Sequence, residues 1–133
     1  MTTLIVSDVH LGSRSSQPGL LSQLLETDFD RLILNGDTIN NLNLRKFKAK
    51  HWRLMSKLRD IARTRELVLI RGNHDVSRGE KDVFGPMDVL ATLLGVPLQE
   101  EYVLEIGRCH YLVMHGDRLS HFAAFRLTSC TAR

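Results

Sequence analysis

The chain reads as an α/β fold whose parallel strands carry their chemistry at one edge. Three observations predict it. Short apolar runs, Leu4-Ile5-Val6, Leu32-Ile33-Leu34 and Leu67-Val68-Leu69-Ile70, are bounded by turn residues, as buried strands are. Stretches of helical periodicity separate them, and a strand–helix–strand–helix–strand order implies parallel strands joined by right-handed crossovers. Each run leads within two residues to Asp, Asn or Gly, so such residues collect along one sheet edge, where open α/β sheets place their sites. A β-hairpin is predicted to follow this βαβαβ part.

The first strand leads into Ser7-Asp8-Val9-His10. Residues i and i+2 of an extended segment point the same way, so Asp8 and His10 are expected to converge. Residues 12–19 read as a polar loop and Leu20 to Leu25 as a short helix. The second strand ends in Asn35-Gly36-Asp37. Leu44, Phe47, His51, Leu54, Met55, Leu58, Ile61 and Ala62 recur at helical spacing, which predicts a long helix from about Leu44 to Arg63. The third strand enters Arg71-Gly72-Asn73-His74-Asp75, where the glycine permits a sharp turn. A helix from about Pro86 to Leu94 is predicted to end on Gly95 as its C-cap. Glu101 to Ile106 and Cys109 to Met114 pair across Gly107-Arg108, and the second arm ends in His115-Gly116-Asp117. Leu119 to Thr128 reads as helical.

At 133 residues, with 43% apolar and 25% charged residues, the chain is expected to form a single soluble domain over residues 1–133. No run approaches a membrane span and no signal-peptide pattern opens it, so a cytoplasmic setting is expected. Cys109 and Cys130 make no disulfide framework and read as structural thiols. Nine of the 18 Lys and Arg residues lie between Arg45 and Arg65. Nucleic acid is one reading of such a run. The helical spacing of the apolar positions favours the other, a solvated helix face, so no specific nucleic acid is expected. Attraction of an anionic substrate or membrane surface is a secondary use.

Taken together, the strand ends offer Asp8, His10, Asp37, Asn73, His74, Asp75, His115 and Asp117. Singly, Asp8 or Asp37 reads equally well as a turn cap, and His10 as a loop histidine. Independent caps need not fall at four successive strand ends, so a joint site is predicted. Carboxylate, imidazole and amide oxygen make a mixed O/N ligand set suited to Mn²⁺, Fe or Zn²⁺, and no thiolate is among them. A carboxylate such as Asp37 can bridge two ions held about 3.5–4 Å apart. His51 is expected in the core, His110 at the surface and His121 on a solvent-facing helix. Trp52 lies off the apolar stripe and reads as a loop cover or contact surface.

These residues resemble the calcineurin-like metallophosphoesterases. Asp8-Val9-His10 matches the superfamily's Asp-x-His, Gly36-Asp37 its Gly-Asp, and Gly72-Asn73-His74-Asp75 its Gly-Asn-His-Asp. The resemblance implies the family sheet with flanking helices and two divalent ions, Mn²⁺ first, that activate a shared water to hydrolyse a phosphoester or pyrophosphate. It implies that Asp8 and His10 bind one ion, Asp37 bridges, and Asn73 and His115 bind the second. His74 would protonate the leaving oxygen or hydrogen-bond the phosphate, with Asp75 orienting it. Glu100 to Glu105 and Val113 to Asp117 look like the corresponding segments of UDP-2,3-diacylglucosamine diphosphatases. That implies a phosphorylated or nucleotide-linked substrate, UDP-linked lipid among them, and peripheral contact with the inner membrane. His74 stands where the best-known of these have Arg, Ser120 where many have Cys, and Asn40 where many superfamily members have Asp. No Gly-His-x-His follows His115, so the chain is expected to be the N-terminal part of a larger enzyme, incomplete relative to the four-layer fold and without one histidine for each ion. The alternative is a truncated or non-catalytic fragment, and the chain as given is expected to bind metal weakly and to hydrolyse little.

Overall fold

The computed structural model describes residues 1–40, 44–73 and 84–116. Four parallel strands form the main sheet in the order β1-β2-β3-β4: Thr3–Val6, Arg31–Asn35, Glu66–Ile70 and Leu98–Gln99. Helix α1 (Pro18–Leu24) joins β1 to β2, α2 (Ala49–Thr64) joins β2 to β3, and α3 (Pro86–Leu94) precedes β4. Strands β5 (Glu101–Ile106) and β6 (Cys109–Met114) pair antiparallel as a separate two-stranded sheet. The predicted α/β class, crossover order and hairpin are therefore present.

The sheet is covered on both faces, which explains why its central strands are apolar at nearly every position. Leu32, Leu34, Leu67 and Leu69 face one way into a core with Leu21, Leu54, Leu58, Met87 and Leu90 of the helices. Ile33, Val68 and Ile70 face the other way and pack against Leu104, Tyr102 and Val113 of the hairpin. Tyr102 also donates its hydroxyl to Glu66 Oε1 at 2.8 Å, which fastens the hairpin to the start of β3.

Several boundaries differ from expectation. Pro18 opens α1, two residues before the predicted start, because its fixed φ suits the first helical turn. The long helix is interrupted: Leu44–Lys46 forms a 3₁₀ turn, and Lys48 is extended at φ −91° before α2 begins. His51 Nδ1 accepts the Lys48 N–H at 3.0 Å and so caps the new start. The buried His51 and exposed His110 and Trp52 match the sequence reading. Strand β4 has no counterpart in that reading, since two residues are too few to show periodicity. Strand β1 is an edge strand rather than a buried one, and Ile5 is 49% exposed. The helix predicted at residues 119–128, with Ser120 and His121, lies outside the described residues, as does Cys130. Among the described residues no helix is long and apolar enough to cross a membrane.

Candidate metal centre

The carboxyl ends of β1, β2 and β3 and the end of β6 converge on one spot. Past β1 and β2 the two chains stay in register: His10 N–H donates to Asp37 O at 2.8 Å and Leu11 N–H to Thr38 O at 2.9 Å. Within this paired stretch Asp8, His10 and Asp37 all adopt left-handed backbone, with φ of 56°, 47° and 49°. Such conformations are costly for residues with a Cβ, and Asp, Asn and His bear them best. Asp8 and His10 do converge, with His10 Nε2 3.8 Å from Asp8 Oδ1. The reason is this pair of left-handed bends, not the extended alternation assumed from the sequence.

Asp37 sits at the middle of the group. Its Oδ2 lies 3.7 Å from His10 Nε2 and 3.5 Å from His115 Nε2. Asp37 and His115 are almost wholly buried, at 2% and 6% exposure, whereas Asp8 and Asn73 are exposed. Glycines make the room. A Cβ on Gly36 would stand 2.3 Å from His115 Nδ1, and one on Gly72 would stand 2.2 Å from Asp37 Oδ1. Gly72 is therefore needed for the side chain it lies against, as well as for a turn.

His115 Nδ1 lies 2.9 Å from the carbonyl oxygen of Asn35. A carbonyl can only accept, so Nδ1 carries the proton and the lone pair of a neutral ring is on Nε2. That lone pair faces Asn73 Oδ1 at 3.2 Å as well as Asp37 Oδ2. An imidazole nitrogen, a carboxylate oxygen and an amide oxygen make an N/O set of the kind that suits a divalent ion. Asp8, Asp37 and His115 each bring one ligand atom to within 4.8 Å of the others.

The structure thus brings together Asp8, His10, Asp37, Asn73 and His115. His74, Asp75 and Asp117 lie outside the described residues. Two contributors were missed in the sequence. Asn35 orients His115 through its carbonyl, and its Nδ2 donates to Met114 O at 3.1 Å, tying β6 to the site. Its position beside Gly36-Asp37 was visible, but a strand-end Asn gives no sign of a partner 80 residues away. Arg71 supports the Gly72-Asn73 turn from behind. Its Nη1 and Nη2 grip Asp88 of α3 at 3.2 and 2.8 Å, and its Nε reaches Glu100 at 3.1 Å. That grip holds the Asp88 carboxyl below the ordinary carboxylate range and raises Arg71 further.

Residues 1–130 match the family described as calcineurin-like phosphoesterase. No curated protein sequence matches the chain significantly. The fold is similar to that of nuclease MPE from Pseudomonas putida, at 28% identity and a TM-score of 0.51, covering 77% of this chain and 49% of the nuclease. It is also similar to Vacuolar Protein Sorting 29 from Cryptosporidium parvum, at 20% identity and a TM-score of 0.52, covering 92% of this chain and 53% of that one. The chain spans about half the length of these two solved structures. A parallel sheet whose strand ends carry an Asp-Asp-His cluster fits this class, and the match over residues 1–130 shows it. The chain belongs to the calcineurin-like phosphoesterase family.

Proposed function

We propose that this chain supplies the centre of a metal-dependent phosphoesterase that cleaves a nucleotide-containing phosphoester or pyrophosphate. The observation that carries the reading is the placement of Asp37 Oδ2 between two imidazoles, 3.7 Å from His10 Nε2 and 3.5 Å from His115 Nε2. A carboxylate so placed serves two ligand groups: Asp8 and His10 on one side, Asn73 and His115 on the other. Two divalent ions bound there, Mn²⁺ first among the candidates, would lower the pKa of a shared water and neutralise charge on the phosphoryl oxygens.

The chain's own residues do the rest. Burial of Asp37 and His115 fixes their geometry, and the Asn35 carbonyl holds His115 with its Nε2 turned toward the ligand group. Exposed Asp8 and Asn73 leave the outer side of the site open to a substrate. His74, next to Asn73, is the residue proposed to protonate the leaving oxygen, with Asp75 to orient it. Two likenesses support a nucleotide in the substrate. One is that of residues 100–117 to UDP-2,3-diacylglucosamine diphosphatases, and the other is that of the fold to a nuclease at 28% identity.

The test compares Asp37→Asn with Asp8→Asn, since Asn tolerates the same left-handed backbone. Bound Mn²⁺ is measured after equal dialysis, alongside hydrolysis of a nitrophenyl ester of a nucleoside monophosphate. Asp37→Asn should lose both ions and Asp8→Asn one. Equal losses would count against the shared carboxylate, and an unaltered chain that neither takes up Mn²⁺ nor shows metal-dependent turnover would count against the function.

A further inference from the structure

We propose that the outer face of α2 and the 3₁₀ turn before it form a docking track for single-stranded nucleic acid, leading to the metal centre. The inference rests on the phosphoesterase reading above and narrows its substrate class. Residues 45–65 carry nine cations against one acid, Asp60. Three of the nine are engaged elsewhere: Lys57 pairs with Glu26, the Arg65 guanidinium lies 4.3 Å over the Phe29 ring, and Arg45 has an interaction of its own. Lys46, Lys48, Lys50, Arg53, Arg59 and Arg63 are all exposed, and none has an ion-pair partner among the described residues. An ordinary solvated helix face intersperses both signs, with Glu or Asp four residues from Lys or Arg. This one does not.

Position adds to charge. Helix α2 runs from the carboxyl edge of β2 back to the amino edge of β3, so its first turns lie on the edge that carries Asp8, Asp37 and Asn73. The loop after β1 meets the same end, where Ser16 Oγ lies 3.5 Å from His51 Nε2, and exposed Arg14 adds a further cation to that rim. A cationic rim beside a site raises the local concentration of a polyanion.

Trp52 selects the kind of polyanion. It is 47% exposed on the first turn of α2 among these cations, and its ring is propped at 5.4 Å by buried Phe47. A propped, exposed indole beside a row of cations is a stacking platform for an unpaired base, the combination that single-strand binders use. Duplex bases are already stacked and would offer it nothing. A lipid surface would need an apolar stripe facing outward, and the buried residues His51, Leu54, Leu58 and Ile61 of α2 face the core instead.

The experiment measures fluorescence anisotropy of a labelled single-stranded 20-mer of mixed sequence with the full chain. Chelator is present throughout, so that cleavage cannot occur and the metal centre is not read. Association should weaken with salt, each phosphate contacted lowering the log–log slope by about 0.7. Lys50→Glu and Arg53→Glu should each weaken binding about tenfold, whereas Arg108→Glu on the hairpin turn, an equal change in net charge, should not. Trp52→Ala should weaken it roughly tenfold with the salt slope unchanged. The proposal is overturned if the strand does not bind, if Arg108→Glu matches the α2 variants, or if anionic phosphatidylserine vesicles bind and the strand does not. Any of these results leaves the metal and turnover measurements of the centre to stand or fall separately.

Discussion

The His115 ring is held by the carbonyl of Asn35, 2.9 Å from Nδ1, and the same residue's amide holds the backbone of Met114 at 3.1 Å. One strand-end residue on β2 thereby sets both the angle of a ligand and the position of the strand that delivers it. Asn35→Ala keeps the carbonyl but releases β6. Mn²⁺ affinity should fall by about 10–100-fold, as when groups behind a metal ligand are removed. Titration calorimetry checks this, and unchanged affinity would mean that the amide has no positioning role.

Gly72→Ala should damage the centre from beneath. The added Cβ would meet the Asp37 backbone nitrogen at 2.4 Å as well as its carboxylate, and backbone cannot step aside as a side chain can. A loss of about 1–3 kcal/mol in stability is expected from overpacking, with metal retention lost as well. Gly107→Ala is the comparison. Nothing lies within 4 Å there, so only its left-handed backbone is strained, and metal binding should not change.

His51 predicts an acid-side loss of stability. Burial, then the charge of Lys50, lowers its pKa below the ordinary 6.5. As pH falls through 6.5 the unfolded chain takes up the proton first, so folding is disfavoured from there down to the depressed folded value. The slope from this one group can reach about 1.4 kcal/mol per pH unit. His51→Gln keeps an acceptor for the Lys48 N–H but does not titrate. Below pH 6.5 the urea midpoint should therefore fall less steeply for the variant, and parallel curves would exclude His51.

The Arg71–Asp88 grip, which backs the Gly72-Asn73 turn, should be read most directly in stability. Arg71→Leu leaves the Asp88 carboxylate without its bidentate partner, at a cost of about 1.5–3 kcal/mol, and Arg71→Lys should recover only part of it. Because Asp88 is held below its ordinary 3.8, its contribution is complete above that value and is lost as pH falls toward the folded value. The wild-type advantage over Arg71→Leu, measured by denaturant titration at pH 7 and pH 3, should therefore shrink in acid. An advantage that is constant with pH would place the effect in packing.

The sequence carried much of this architecture because its signals are local. Continuous apolar runs mark strands buried on both faces, and the Asp, Asn and His residues beside them are chemically conspicuous. What it hid depends on contacts distant in the chain. The clamp of Asn35 on β6 and the grip of Arg71 on α3 join residues whose types are ordinary at a strand end. Exposure of Ile5 is equally invisible, since a run of three apolar residues looks the same in a central strand and at an edge. The break before α2 was concealed because Leu44 and Phe47 continue the helical spacing across it.

The left-handed backbone at Asp8, His10 and Asp37 restricts what substitution could ever produce at this centre. On the proposed function each position must satisfy two demands at once: it must donate to a cation, and it must tolerate a φ near +50°. Glu, Cys and Tyr meet the first demand but pay heavily for the second, while Gly meets only the second. The overlap is a three-letter alphabet of Asp, Asn and His. An Asp→Glu exchange, conservative in charge and ligand chemistry, should therefore be worse tolerated here than Asp→Asn, and drift in the ligand set is confined by the turn rather than by the ion.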